Sequence, residues 1–487
     1  MIEAALILPA VLAAICILLG RRTRLVEAVS VAGAGSMLVL GLYLVFRVFD
    51  QGSLDEGIWY MDQFSGLMML IIVLIGSLAM VYSVPYMRHE LDSGEVNPKK
   101  VAYYYGFLFL FILTMVLVVV SDNLGMVWIA VEATTLVSAF LVGFHNKATS
   151  LEATWKYLII CSIGISLALL GTIFIYASSL PILGEGSDLH WTSLMAVADQ
   201  LDPAFLKIGF VLVLIGYGTK AGLAPMHTWL PDAHSQSPSP VSALLSGVLL
   251  NCAMYAVLRY HVLLTHSQLG GGFSSGLLLL FGLLSLGIAA AFIITQKDYK
   301  RLLAYSSIEH MGIISIGFGF GGYWGIFGGL LHMLNHSLTK ALLFFGAGNV
   351  LQKYGTKNIS EVRGLVRTMP FTAALLMLGA LAITGSPPFS IFTSEIMVLT
   401  AGIDQGNILP AISYSLMLVV VFAAFMGHIV KMVFGEPPQG MEKGEISKMG
   451  LVPMIALAVM ITIMGLFIPD VLADALRDII ALFGGLA

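Results

Sequence analysis

The residues best suited to chemistry are titratable groups set inside long apolar runs. Lys220 lies in GYGTKAGLAPMHTWLPDAHSQSPSPVSALLSG, residues 216–247. Behind it come Pro225 and Pro231, a polar turn with Asp232, His234 and Ser235, and then Pro238 and Pro240. An ammonium in lipid is costly, and so is backbone that leaves the helix. Both persist only where protein or a water-filled cavity encloses them. A buried base beside a broken helix is the pattern that marks ion paths in transporters. The competing reading is a loop end with a snorkelling lysine.

Other groups of the same kind follow. Glu132 sits in the middle of VWIAVEATTLVSAF and needs a partner, for which Lys220 is the natural choice. Burial lowers a lysine's proton affinity and a nearby carboxylate raises it, so changing their separation would move a proton. A fixed structural ion pair is the alternative. His332, His336 and Lys340 recur at i, i+4 and i+8, on one helix face and about 6 Å apart per step. Bridged by water, such a row suits a proton relay. The two histidines could also hold a metal, but no HExxH pattern or carboxylate on that helix supports one. Glu309 and His310 are adjacent, so they point about 100° apart, one toward the path and one toward a neighbouring helix. Packing polar groups would look the same. Glu395 lies about two turns after Pro387 and Pro388 and is a candidate terminal site facing the outer exit. His227 and His234 could admit protons from the inner surface, and turn capping would serve equally. His428 could mark an inner access point, Lys431 reads as an interfacial anchor, and Arg259 is expected to reach the outer interface.

The elements that must carry these groups are membrane helices. The chain has 487 residues, 58% hydrophobic and 11% charged, with mean hydropathy +0.93. An ordinary soluble domain is roughly 25% charged, so the expected class is an all-α polytopic membrane protein. Apolar runs from 2–20 to 449–469 give about fourteen spans. The run 369–402 contains Gly385, Pro387 and Pro388 and is one interrupted helix. The tail 470–487 reads as a short amphipathic interfacial segment.

The first run has no basic residue before it and Arg21, Arg22 and Arg24 after it, the order of a retained span with its N-terminus outside. Most lysines and arginines then fall on the inner loops, Lys297, Lys300 and Arg301 among them. The outer side holds only Arg47, Lys207, Arg259 and Arg477, with acidic stretches from Asp50 to Asp62 and from Glu185 to Asp202. Both termini are expected outside, in the inner (plasma) membrane. The interrupted runs 204–228 and 369–402 are five helices apart and so of opposite sense, which inverted repeats give. The expected organisation is a three-helix segment over 1–100, a first five-helix repeat over 103–265, a second inverted repeat over 273–434, and a helix with an amphipathic tail over 435–487.

Cys16, Cys161 and Cys252 lie singly in apolar runs, so neither an iron–sulfur cluster nor a disulfide framework is implied. With no dinucleotide fingerprint or P-loop, no cofactor is expected, and redox chemistry, if served, resides in other subunits.

The order of these residues resembles a known family. TKAGLAPMHTWLPDAHSQSPSPVSALLSG is similar to the signature of the antiporter-like subunits of complex I, Mrp antiporters and membrane-bound hydrogenases, and the resemblance covers roughly residues 60–434. SSIEHMGII, LLHMLNHSLTKALLFFGAGNVLQKYGT, VRGLVRTMPFTA and GSPPFSIFTSEIM look most like the component F type of hydrogenase-4 complexes. The resemblance implies a proton-translocating, non-redox module of a membrane arm. Its partners would be other membrane subunits, peripheral redox subunits with iron–sulfur clusters, and lipid, not nucleic acid. It implies that Glu132 and Lys220 form an ion pair, that His332, His336 and Lys340 form a central polar axis, and that Glu395 is the terminal acid. Asn251 stands where many relatives have a lysine; it can hydrogen-bond water but carries no charge. Sodium–proton exchange, bicarbonate uptake as part of a two-component transporter, and a non-pumping scaffold stay open beside proton pumping.

Overall fold

Helix starts are set by the residues that precede them. Asn97, Asn123, Asp202 and Asp298 each accept backbone N–H bonds from the first helical turn that follows, and Pro98 and Pro203 stand at the first helical position. The computed structural model describes residues 1–184 and 189–484. Residues 185–188 of the expected acidic outer loop and 485–487 of the tail lie outside the described residues. The chain runs α1 (Ile2–Leu19), α2 (Thr23–Gln51), a hairpin of β1 (Ser53–Glu56) and β2 (Trp59–Asp62), α3 (Gln63–Asp92), α4 (Pro98–Val120), α5 (Leu124–Val142), α6 (Ala148–Leu183), α7 (Trp191–Ala196), α8 (Pro203–Ala221), α9 (Leu230–Gln236), α10 (Ser239–Leu244), α11 (Leu250–Thr265), α12 (Gly272–Ile294), α13 (Tyr299–Phe320), α14 (Gly322–Tyr354), α15 (Leu365–Thr368), α16 (Pro370–Ile383), α17 (Ser390–Asp404), α18 (Ile408–Val433), α19 (Lys448–Leu466) and α20 (Asp470–Leu482). The hairpin is antiparallel, with Ser53 opposite Asp62.

Among the described residues, eleven helical segments are long and apolar enough to cross a membrane. The expected count of about fourteen is not reached on that criterion. Helices α13 and α14 are long but carry Glu309, His310, His332, His336 and Lys340, and α16 and α17 are each short. Both expected interruptions are present. Helix α8 stops at Gly222, whose φ of +80° is left-handed, and a 3₁₀ turn at Met226–Trp229 leads into α9. The freed carbonyls find partners there: Leu223 N–H donates to Gly218 O and the Trp229 indole donates to Thr219 O, both at 2.8 Å. The second break lies between α16 and α17, with Gly385 at φ +66°. A π turn at Leu245–Leu249 joins α10 to α11, an irregularity the sequence did not announce.

The helices around the interrupted segments approach closely because small residues line their contacts. On α6 and α8, Gly164, Gly171, Gly209 and Gly216 meet the opposing helix so tightly that a Cβ at Gly216 would lie 2.5 Å from the Ala168 nitrogen. Gly282 on α12 and Gly312 on α13 meet in the same way, as do Gly317 on α13 and Gly325 on α14.

Ion pairs tie loops together at each end of the bundle. At one end are Lys147 with Glu95, and Lys156 and Arg301 both with Asp232, beside a 3.1 Å hydrogen bond between His145 Nε2 and Glu90 Oε2. At the other, Arg259 grips Asp62 with two hydrogen bonds of 2.6 and 2.7 Å, its guanidinium 4.5 Å from the centre of the Trp191 ring. Arg259 therefore does not reach an outer interface: Asp62, at the end of β2, draws it into a buried pair. The expected amphipathic tail is α20. The apolar face of α20, with Leu476, Ile479 and Ile480, is buried against the bundle, and Phe483 packs on Phe64, His261 and Phe318.

Gly216→Ala should force α6 and α8 apart and lower stability by about 1–3 kcal/mol, read as a drop in Tm in detergent, while Gly276→Ala, which faces open space, should leave Tm unchanged. Arg259→Met should cost about 3–5 kcal/mol by leaving Asp62 buried and unpaired, and adding Asp62→Asn should recover part of the loss.

Candidate functional site

The close approach of α6 and α8 fixes the first lysine. Lys220 ends α8 with no exposed surface. Its Nζ donates to Thr135 Oγ1 on α5 at 2.8 Å and to Tyr157 Oη on α6 at 2.5 Å, and it lies 4.5 Å from the centre of the Tyr157 ring. Glu132 is not in direct contact with Lys220 among the described residues. Thr135, one turn along α5, stands between them and donates to Glu132 Oε2 at 3.4 Å. Ser162 on α6 donates to Glu132 Oε1 at 2.8 Å. Glu132 is only half-buried, at the flank of the chain. The expected ion pair is thus a carboxylate, a hydroxyl and an ammonium in series. Thr135 was missed because its type is ordinary; its spacing of i+3 from Glu132 was the available signal.

The second lysine is built alike. Lys340 on α14 is fully buried and donates to Leu303 O and to Ser306 Oγ, both at 2.8 Å. Ser306 also reaches the carboxylate of Glu309, one turn along α13. Here too a hydroxyl links lysine to glutamate.

The histidines form a chain across three helices. His310 Nδ1 on α13 is 2.9 Å from His332 Nε2 on α14, and His332 Nδ1 is 2.9 Å from Ser394 Oγ on α17. With Ser394 donating to Ile391 O, His332 Nδ1 must donate to Ser394. His332 Nε2 then accepts from His310 Nδ1. His336 does not touch His332 directly; both rings lie beside His310, with centroids 5.3 and 5.1 Å away. The expected row on α14 is therefore completed by a residue of α13.

Glu395 on α17 lies against the second break: a Cβ at Gly385 would fall 1.9 Å from its Oε2. Asn251 joins α11 to α14, its amide donating to Gly247 O, Met333 O and Ser337 Oγ at 2.9–3.1 Å. His234 is fully buried on α9, and His227 sits in the 3₁₀ turn beside Tyr305. His428 stands apart from the row: it is half-buried on α18 and bonds to Ile293 O of α12 at 3.1 Å.

Several buried polar atoms have no hydrogen-bond partner among the described residues, namely both nitrogens of His336, Glu309 Oε2, Glu395 Oε1, Asn251 Oδ1 and His234 Nε2. Buried polar groups are stable when hydrogen-bonded, so these are positions at which water is favoured. Among the described residues, no group of three or more His, Cys, Asp or Glu is placed to hold a metal ion. Lys300, assigned by sequence to an inner loop, is fully buried at the start of α13; its place in the charged string KDYKR hid it.

Residues 121–427 match the family described as NADH:quinone oxidoreductase/Mrp antiporter, TM, and residues 58–94 match the complex I chain 5 N-terminus family. A hydrogenase-4 component F homolog of Methylacidiphilum infernorum is 39% identical over 434 residues, 88% of each chain. The fold is shared with a chain of the membrane-bound sulfane sulfur reductase, an archaeal respiratory membrane complex, at TM-score 0.86, 23% identity and coverage of 99% of this chain and 98% of that one. A chain of the Mrp complex from Dietzia sp. gives TM-score 0.85, 20% identity and coverage of 99% and 97%. The fold is thus that of a known architecture, and the chain belongs to the NADH:quinone oxidoreductase/Mrp antiporter family as an antiporter-like membrane subunit.

Proposed function

We propose that this chain translocates protons from the cytoplasm to the outside as a non-redox subunit of a hydrogenase-4 or complex I-like complex in the inner membrane. Both termini lie on the outer side in this reading. Its neighbours are other membrane-arm subunits, and iron–sulfur subunits at the periphery supply the redox energy. The observation that carries the proposal is the pair of buried lysines, each separated from a glutamate by one hydroxyl. The two units support the division into inverted halves over 103–265 and 273–434.

The cycle follows from that geometry. Lys220 holds its proton while Thr135 links it to Glu132. A signal from a neighbour reaches the half-buried Glu132 first, because that carboxylate lies at the chain's flank. Moving Glu132 away from Thr135 weakens the field at the ammonium, and the proton passes toward Lys340 through the segment from α10 to α11, which packs between α8 and α14. Ser246, bonded to Ser307 at 2.7 Å, and Asn251 supply polar stepping points there. The histidine chain carries the proton from His310 to His332 and Ser394, and Glu395 releases it outside. Moving one charge against 100 mV costs about 2.3 kcal/mol. A hundredfold change in proton affinity at one lysine, roughly 2.7 kcal/mol, matches that cost.

In the complex reconstituted into vesicles, Lys220→Met should abolish redox-driven acidification while electron transfer continues, and undiminished pumping would end this reading. Thr135→Val should slow pumping roughly ten- to hundredfold, the worth of a hydrogen bond to a charged group, and Thr135→Ser should restore it. Transport should run equally with sodium or potassium as the only metal cation; exchange that needs sodium and proceeds without an electron donor would point to antiport instead.

A further inference from the structure

Lys300 belongs to neither unit above. It is the second residue of α13, directly behind the capping Asp298, where the helix dipole disfavours a cation. It is fully buried, and its Nζ donates to the carbonyl of Ser237, at the end of α9, at 2.6 Å. It lines a polar cavity of about 630 Å³, together with Glu90, His145, Asp298 and Lys357, at the end of the bundle where the loops of α3, α5, α9 and α14 converge. The charged groups facing it are Lys357 from the loop after α14, Asp298 from its own turn and Glu90 from α3.

His234 lies on α9, one turn before the Ser237 that holds Lys300. His234 has no exposed surface, and its Nδ1 is 2.9 Å from Leu230 O. A carbonyl only accepts, so Nδ1 carries the hydrogen and Nε2 presents a lone pair. That Nε2 is buried without a protein partner. The His234 ring packs on Phe344 of α14, centroids 5.7 Å apart, one turn beyond Lys340 and two turns beyond His336. The series cavity, Lys300, His234, His336 and Lys340 does not pass through Lys220.

We propose that Lys300 and His234 form a second proton inlet, which fills the central row from this cavity independently of Lys220. It rests on the reading that the central row carries protons. The Lys300 ammonium gives one proton, through water, to His234 Nε2; His234 passes it toward His336, and the neutral amine regains a proton from the cavity. The Ser237 carbonyl holds the amine in place in either state.

The test uses the full chain in liposomes with a potassium diffusion potential set by valinomycin, and a trapped pH dye to read proton flux. Lys300→Met and Lys300→Arg should each cut flux at least tenfold, because arginine keeps the charge but does not release its proton. Lys300→His should conduct again, with its pH profile moved toward acid. His234→Phe should lose flux to the same degree, and adding Lys300→Met to a Lys220→Met background should lower the remaining flux at least tenfold further. Full flux in Lys300→Arg, no further loss when Lys300→Met is added to Lys220→Met, or no recovery in a folded Lys300→His would overturn the inlet. An unaltered chain that conducts no protons would overturn the central row and the inlet together, whereas conduction that survives Lys300→Arg removes the inlet alone.

Discussion

Lipid supplies no hydrogen bonds, and nearly everything in this structure follows from that. A helix that breaks inside a membrane exposes carbonyls and N–H groups, so a break is tolerable only where other protein groups satisfy them. The break after α8 is closed by Leu223 and Trp229 bonding back to Gly218 and Thr219. The same requirement applies to the ammonium groups. Lys220, Lys300 and Lys340 are all fully buried, and each is held by hydroxyl or carbonyl oxygens rather than by a carboxylate. An ammonium held by neutral oxygens is stabilised less than one held by a carboxylate. That weaker grip is what a group must have if it is to give up its proton.

Close packing makes this enclosure possible. Gly164 and Gly171 on α6 face Gly209 and Gly216 on α8, so the two helices touch nearly backbone to backbone. Tyr157 of α6 thereby comes within 2.5 Å of the Lys220 ammonium. On the second side, Gly328 of α14 abuts Ser394 O and the Val398 nitrogen of α17, one turn before His332 meets the Ser394 hydroxyl. The small residues and the titratable ones belong to the same helix faces: close approach seals the titratable groups from lipid, as the proposed proton path requires.

How far this was legible in the sequence differs by residue. Pro225, Pro387 and Pro388 announce the breaks because proline removes a donor wherever it stands. His332, His336 and Lys340 announce their shared face because helical periodicity is local. Arg259 was misplaced because its partner Asp62 is distant in sequence and nothing local distinguishes a buried arginine from an interfacial one. Thr135 was overlooked because bridging is a property of three helices, not of one. Lys300 was hidden by its neighbours Lys297 and Arg301, which make the segment read as a loop, although α13 begins at Tyr299. The π turn at Leu245–Leu249 has no proline or glycine pair to signal it beyond Gly247, whose missing Cβ admits Ser337 O of α14 at close range.

Asn251 gains a meaning from that last contact. The π turn lets α10 and α11 bring Gly247 against Ser337, and the Asn251 amide then bonds to Gly247 O, Met333 O and Ser337 Oγ together. A lysine here would have to place a charge among three groups already committed to one another. The asparagine instead fastens α11 to α14 with its amide and turns its Oδ1, which has no protein partner, toward the interior. An open acceptor at that point orients water without binding a proton of its own. In the proposed cycle, the charge passes between the two lysine units without resting midway, so the neutral side chain is a bridge in the path and not a gap.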